Sequence, residues 1–409
     1  MWYVGIDWAG EHHDIAVTND GMEAVGQFQV AHSVEGLEAL GARLVAVAGG
    51  PAGCQVAIER PDGLLVATLL EWGYTVYAVN PKAVDRYRDR YSMAGAKDDR
   101  RDAWVLANIL RTDGALYRPL RAEGEVAAEL RLTVRAYHDL VKEGTRLSNQ
   151  LRVCLADYYP LALTLFKGLA APLTLAFLRA FPDPAAARQD EAAVRAWCTA
   201  HRYGRVDALL GKVARPQLEQ PNAGVVRARR RQMLALVSGL ETILRAEHEH
   251  ERALDDLLGR HPDGGLFLAL PGAGVITAAS LVGELGEDRG RLPTADDLRA
   301  VSGTAPVTIR SGKQRLVVRR QACNQALHQA LVQFARTSML QAAQGKEAAA
   351  WVLTLYQARR AAGDSEQAAY RVIANRWAGI LWAMWTRQEP YDARRYTQAC
   401  QARALPKAS

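Results

Sequence analysis

The sequence predicts a mixed α/β domain followed by a larger, mostly helical remainder. Three observations carry this. Short apolar strands fill the first 30 residues, βα alternation runs from there to about residue 110, and long stretches of helical apolar periodicity follow residue 120. Trp2–Asp7, Asp14–Thr18 and Ala24–Val30 read as three strands, and Asn19-Asp20-Gly21 supplies the positive φ of a tight turn between the second and third. A helix over Val34–Ala48, a strand at Gln55–Glu59, a helix near Leu64–Trp72 and a strand at Tyr74–Val79 come next. Pro81 opens another short helix, and Asp99–Leu110 forms one more.

Hairpin strands first and βα alternation afterwards is the order of an RNase H-like mixed sheet flanked by helices. Arg118-Pro119-Leu120 reads as a linker, because proline and the residue before it resist helix. Residues 123–159 carry Leu130, Val134, Tyr137, Val141, Leu151 and Leu155 at mostly helical spacing, the pattern of a long helix packed on a partner. A second long helix at Val225–Leu258 is placed to return antiparallel to it, a helical coiled-coil arm. Residues 160–220 are helical and irregular, broken by Pro182 and Pro184. His261-Pro262-Asp263-Gly264-Gly265 ends the arm, and a helical third unit follows, in which Trp377, Leu381 and Met384 have core spacing. The expected domains are therefore 1–118, 119–260 and 261–409.

At 409 residues, with 49% apolar and 23% charged residues, the chain exceeds one hydrophobic core and is neither a disordered chain nor a fibre. No run of 18 uncharged apolar residues exists, so a membrane span is not expected. The start lacks the features of a signal peptide, and five unpatterned cysteines fit a reducing interior, so the expected location is the cytoplasm. The net charge of +7 conceals an asymmetry. Residues 1–120 hold 11 Lys and Arg against 16 Asp and Glu (−5), and the remainder 40 against 28 (+12). An acidic unit joined to a basic one suits a carboxylate-lined site that meets a polyanion held by the other half; two ordinary solvated surfaces are the alternative.

Four carboxylates stand out. Asp7 and Glu59 each end an apolar strand, and Asp99 and Asp102, three apart at a helix start, share one face, with Asp98 placed to cap that helix. Such a cluster repels itself unless divalent cations neutralise it, and two Mg²⁺ ions could then serve phosphodiester chemistry. Each residue also has a plainer explanation. Asp7 can cap a turn, Glu59 can pair with Arg60 or Arg100, and Asp99 and Asp102 can favour a helix N-terminus. On the first long helix Arg131, Arg135, His138, Lys142 and Arg146 form a basic stripe, either a solvated face or a phosphate contact. Leu270-Pro271-Gly272-Ala273-Gly274 opening a helix resembles a helix-hairpin-helix turn, with Gly272 and Gly274 letting amides approach a phosphate. The segment with Arg310-Ser311-Gly312-Lys313-Gln314-Arg315, followed by Arg319 and Arg320, reads as a loop rich in phosphate-binding cations around a serine.

Val4-Gly5-Ile6-Asp7-Trp8-Ala9, Ile58-Glu59-Arg60-Pro61-Asp62-Gly63, Ala96-Lys97-Asp98-Asp99-Arg100-Arg101-Asp102-Ala103, Leu270-Pro271-Gly272 and Ala305 through Lys313 occur in this order. Together they resemble the DEDD transposases of the one-ten insertion-sequence family, relatives of the Piv invertase, over residues 3 to about 395. The resemblance implies a RuvC-like domain whose metal-binding and catalytic acids are Asp7, Glu59, Asp99 and Asp102, and a C-terminal transposase domain whose nucleophile is Ser311. It implies a transposase or site-specific recombinase of donor and target DNA, working in a bacterial cytoplasm at the nucleoid. It also implies a transient phosphoserine, a composite site in a dimer or tetramer, and in some members a structured bridge RNA as guide. Lys313, Arg315, Arg319 and Arg320 would hold nucleic-acid backbone. Two positions depart from the family's pattern: Asp98 stands where a small hydroxyl residue is common, and Glu59 is followed by Arg60-Pro61-Asp62-Gly63 in place of a shorter turn. Other readings are a RuvC-type nuclease or junction resolvase using water, and an actin-like kinase or ATPase, which lacks its second phosphate loop here. The last is a DNA-binding protein with a relict acidic site.

Overall fold

The structure, a computed structural model, describes residues 1–91, 99–216, 218, 220–312, 314–396 and 398. The chain divides into two compact units, Met1–Gly124 and Glu125–Ser409. The first boundary falls later than the Arg118-Pro119-Leu120 segment suggests, because that segment adds to the sheet: Leu120 N–H donates to Val76 O at 2.7 Å and Tyr77 bridges to Pro119. The predicted arm and third domain fall in one unit, for a reason that its core makes plain.

In the first unit, strands β1 (Trp2–Trp8), β2 (His12–Asn19), β3 (Ala24–Ala31), β4 (Cys54–Ile58) and β5 (Thr75–Ala78) form one sheet in the order β3-β2-β1-β4-β5. β1 is antiparallel to β2 and parallel to β4, and β4 is parallel to β5. Helices α1 (Val34–Ala48) and α2 (Leu64–Glu71) cover one face; α3 (Pro81–Tyr91) and α4 (Asp99–Asp113) belong to the other. The period-2 alternation of the strands decides this. Val4, Ile6, Ile15, Val17, Val56 and Ile58 pack with Leu40, Leu44, Leu65 and Leu69, while Ala57, Tyr77 and Val79 pack with Val84, Val105, Leu106 and Ile109. This mixed sheet between helices fits an RNase H-like domain.

Gly5 sets how close α4 comes. A Cβ there would lie 1.8 Å from Ala103 O and 2.5 Å from Ala107 N, so the helix backbone rests directly on β1. Farther along α4, Arg111 Nη1 donates to Asp20 O, near the start of β1. The helix therefore runs antiparallel to β1, and its first turn lies at the strand end that carries Asp7.

In the second unit, α5 (Glu125–Tyr158) and α11 (Ala223–Arg260) have 34 and 38 residues. They pack antiparallel: Tyr137 Oη donates to Glu251, Gly239 lies against Leu147, and Asp157 pairs with Arg229. Asn222 caps α11 by accepting from the Gly224 and Val225 amides. Five short helices, α6 to α10, over Ala162–Leu165, Pro172–Ala180, Pro184–Gln189, Glu191–Ala200 and Val206–Val213, pack on one end of the pair around Phe177, Trp197 and Leu240. The other end shares a core with α12 (Gly264–Leu268), α13 (Val275–Leu285), α14 (Ala295–Val301), α15 (Gln325–Ala343), α16 (Ala350–Ala361) and α17 (Glu366–Arg387). Leu130, Val134, Leu254 and Leu257 of the long helices join Leu281, Phe334 and Trp377 there, which is why no boundary appears at residue 260.

Val307–Ser311 and Gln314–Val318 form an antiparallel ribbon, β6 and β7, where a loop was expected. No helix among the described residues is long and apolar enough to cross a membrane, and the four described cysteines are free thiols.

Candidate active site

Asp7 and Glu59 lie at neighbouring strand ends. Gly5 and Ile6 pair with Ala57 and Ile58 in parallel register, so the next residue on β1 and the residue just past β4 continue side by side. Both side chains are half-buried. The carboxyl ends of parallel strands are where open α/β sheets place their sites, since the connections there splay apart. Asp102, near the start of α4, is 3% exposed. Gln27 Nε2 donates to Arg100 O at 3.1 Å, fixing this end of the helix over the sheet. The Asp99 side chain and Asp98 lie outside the described residues.

Two further groups belong to this edge. Asp14 is the direct cross-strand partner of Asp7; it is 6% exposed and accepts from Gln29 Nε2 at 3.1 Å. Arg88 of α3 grips Asp102 with both arms, Nε to Oδ1 at 2.7 Å and Nη2 to Oδ2 at 2.6 Å, and reaches Asp85 at 3.1 Å. Desolvation works against the charge on Arg88, but the bonds to Asp102 and the fields of Asp102, Asp85 and Glu59 outweigh it and raise its pKa. Asp14 was legible as the residue facing Asp7 only once the hairpin register was known. Arg88 follows Asp85 by three positions, a pairing local enough to read, but its reach to Asp102 is tertiary.

The loop after Glu59 is held from the side. Arg60 donates to Asp62 at 3.0 Å and lies over the Trp8 ring at 4.7 Å, and Trp8 stacks on His13. The pairing of Glu59 with Arg60 that the sequence allows therefore gives way to a cation–π contact, which ties the β4 end to the β1 end.

An all-carboxylate donor set suits a hard divalent cation. The donor chemistry fits such an ion. In this arrangement, however, no three acidic, histidine or cysteine side chains among the described residues stand close enough to hold one metal. Asp102 is turned onto Arg88.

In the second unit Ser311 is the last residue of β6, cross-strand from Gln314, with Gly312 at φ 54° in the turn. Ser311, Arg310, Arg315 and Arg319 are exposed and Arg320 is partly buried; Lys313 lies outside the described residues. Pairing puts Ser311 on the ribbon face of Ile309 and Leu316, which are 50% and 59% exposed.

The other predicted contacts fare differently. Arg135 does not face outward as a phosphate ligand: its Nε and Nη2 donate to Glu284 at 2.7 and 2.9 Å, and Asn324 Nδ2 donates to the same carboxylate at 2.9 Å. Burial acts to raise the Glu284 carboxyl, but these bonds prevail and hold its pKa down. His138 bonds Ser280 at 2.9 Å, so this part of the stripe locks α5 to α13. Arg131 also acts on Glu284 through its charge. Lys142 and Arg146 are exposed and pair with Asp139 and Glu143 on their own helix. Periodicity showed that the stripe shares a face, not that the face meets carboxylates. Gly272, at φ 84°, is likewise structural. A Cβ there would lie 2.8 Å from Thr337 O of α15, so only glycine fits this close approach. Gly274 opens α13 and has open space beside it.

Comparison with known proteins follows the same two segments. A family model of DEDD type, described as transposase, matches residues 4–160, and another, described as transposase of the IS116/IS110/IS902 family, matches residues 265–351. The mini-circle putative transposase for IS117 of Streptomyces coelicolor is 36% identical over 98% of both chains. The putative transposase y4uE of Sinorhizobium fredii is 43% identical over 50% of this chain and 58% of its own. The insertion element IS110 uncharacterized 43.6 kDa protein of Streptomyces coelicolor is 30% identical over 74% of each. With the carboxylate-edged sheet inside one match and the serine ribbon inside the other, the chain belongs to the IS110 family of transposases, enzymes that cut and rejoin DNA.

Proposed function

We propose that this transposase is a serine recombinase with a metal-assisted site, in which Asp7, Glu59, Asp99 and Asp102 hold two Mg²⁺ ions and Ser311 is the nucleophile. What supports the reading is that Asp7 and Glu59 end neighbouring parallel strands and that Asp102 lies buried near the start of α4, which rests on the same sheet, in a family whose DEDD domains generally depend on divalent metal. When bound, the ions polarise a phosphate oxygen and stabilise the departing one. Ser311 Oγ attacks the scissile phosphorus; the serine–phosphorus bond forms as a strand P–O bond breaks, and the serine proton passes to the leaving oxygen. The exposure of Ser311 at the end of β6 supports this, because a nucleophile must reach a backbone phosphate. Attack by the partner strand's hydroxyl on the phosphoserine then reseals DNA without net hydrolysis.

Arg315, Arg319, Arg320 and Lys313, with Lys142, Arg146 and Gly274 as further contacts, hold nucleic-acid backbone. The family resemblance supports an element-encoded bridge RNA that pairs with donor and target DNA, and exchange at two ends calls for a dimer or tetramer. End-labelled DNA incubated with Mg²⁺ and run on a denaturing gel tests the chemistry. A protein-linked band that disappears in Ser311→Ala, while DNA binding persists, is expected. Cleavage with hydrolysed ends and no linked band would replace serine attack by water, as in a RuvC-type resolvase. RNA extracted from the purified protein and sequenced tests the guide.

A further inference from the structure

The carboxylate edge contains a cation of its own. Arg88 donates two short hydrogen bonds to Asp102, a bidentate geometry that uses both carboxylate oxygens. Asp102 is 3% exposed, and a buried carboxylate without a counter-charge is costly, so Arg88 stabilises it whenever no other cation is present. A divalent ion bound through the same oxygens would sit within a few ångströms of the guanidinium, and two cations at that distance repel. Simultaneous occupancy is therefore disfavoured.

Release has a ready destination. Asp85, one helical turn before Arg88 on α3, already accepts from Nη1 at 3.1 Å, and its side chain is 65% exposed. A guanidinium leaving Asp102 keeps that partner and gains water. Asp102 is more buried than Asp7 and Glu59, and its carboxylate is turned to Arg88.

We propose that Arg88 is the internal counter-ion of this site, competing with the divalent cation for Asp102, so that metal binds only in the fraction of molecules in which Arg88 has let go. The proposal rests on the carboxylates being the metal site. It differs from a plain structural ion pair in its sign, since removing a competing cation strengthens metal binding whereas removing a mere scaffold weakens it.

Mn²⁺ titration of the full-length protein without nucleic acid, followed by the electron paramagnetic resonance of the unbound ion, reads that sign. Arg88→Ala and Arg88→Gln are expected to bind Mn²⁺ about tenfold more tightly than wild type, as for a site competent in roughly a tenth of molecules. Arg88→Lys, which keeps the charge, stays near wild type. Unchanged or weaker binding in Arg88→Gln, with circular dichroism as in wild type, overturns the proposal. Asp7→Asn separates this failure from failure of the metal-site reading: if no Mn²⁺ binding in any background depends on Asp7, the reading itself is wrong. Wild-type protein gives an independent readout should the variants not fold. In ¹⁵N-arginine-labelled protein the Arg88 Nε–H, protected from exchange by Asp102, loses protection as Mg²⁺ saturates the site; protection retained at saturation rejects the competition.

Discussion

Asp7 and Asp14 stand directly opposite one another across the antiparallel β1–β2 pair, so two carboxylates share one face at the edge of the sheet. Like charges in directly opposed positions destabilise a strand pair, and Asp14 is 6% exposed, which limits screening by water. Asp14→Asn keeps an oxygen for Gln29 and removes one charge. It is expected to raise stability in EDTA by roughly 0.5–1 kcal/mol. Added Mg²⁺ should erase that gain by stabilising wild type more than the variant. Thermal denaturation with and without Mg²⁺ measures both, and a variant less stable in EDTA would show that the pair does not repel.

The contact of Gly5 with α4 allows a sharper test. A methyl group at this position must displace the Ala103 carbonyl and Ala107 amide, which are backbone atoms and cannot rotate away. Gly5→Ala is expected to cost about 3 kcal/mol or more, at the upper end of overpacking, and to abolish strand cleavage by moving Asp102 away from Asp7. Urea denaturation gives the cost. A variant with wild-type midpoint would mean that α4 does not rest on β1.

What could be read from the sequence followed from local pattern. Asp7 and Glu59 were visible because each ends a short apolar run, and the turn at Asn19-Asp20-Gly21 because its residue types require it. The antiparallel return of α11 on α5 followed from two long periodic segments joined by a breaker-rich stretch. Asp14 and Arg88 were hidden because their meaning lies in register and in helix packing, neither of which spacing encodes. The β6–β7 ribbon was misread as a loop since Arg310, Ser311, Gly312 and Lys313 dominate its middle. The alternation of Val307 and Ile309 with Leu316 and Val318 was the available signal for a hairpin.

Arg135 and Glu284 distinguish a structural cation from a nucleic-acid contact on one helix. Arg135→Ala leaves Glu284, 4% exposed, with Asn324 and the more distant Arg131 charge, and should cost about 2–4 kcal/mol, short of the largest buried-pair values because Arg135 itself is partly exposed. Lys142→Ala and Arg146→Ala should change stability by less than about 0.5 kcal/mol, since both belong to exposed pairs. If these two contact phosphate, the double variant lowers the slope of log affinity against log salt by about 2 for duplex DNA, as expected for two lost contacts. An unchanged slope would leave this end of the stripe as a solvated face.

His13 makes the first unit sensitive to acid. It is fully buried beside Trp8, its Nδ1 accepts from the Ala9 amide at 3.4 Å, and its Nε2 lies 2.9 Å from His32 Nδ1. The Ala9 bond requires an unprotonated Nδ1, so Nε2 carries the hydrogen and donates to His32. Burial first, then the charges of His32 and His12, push His13 down to about 4, against the opposing pull of Asp14. The unfolded chain binds a proton near the ordinary histidine value, so between there and pH 4 it holds more protons than the folded one. Stability is therefore complete above about pH 6.5 and falls as pH drops toward 4, by on the order of 1–2 kcal/mol after discounting for a proton shared with His32. His13→Phe removes the titrating group and should flatten that part of the profile. Urea midpoints measured from pH 7.5 to 4.5 read the slope, and an equally steep fall in His13→Phe would assign it to other groups.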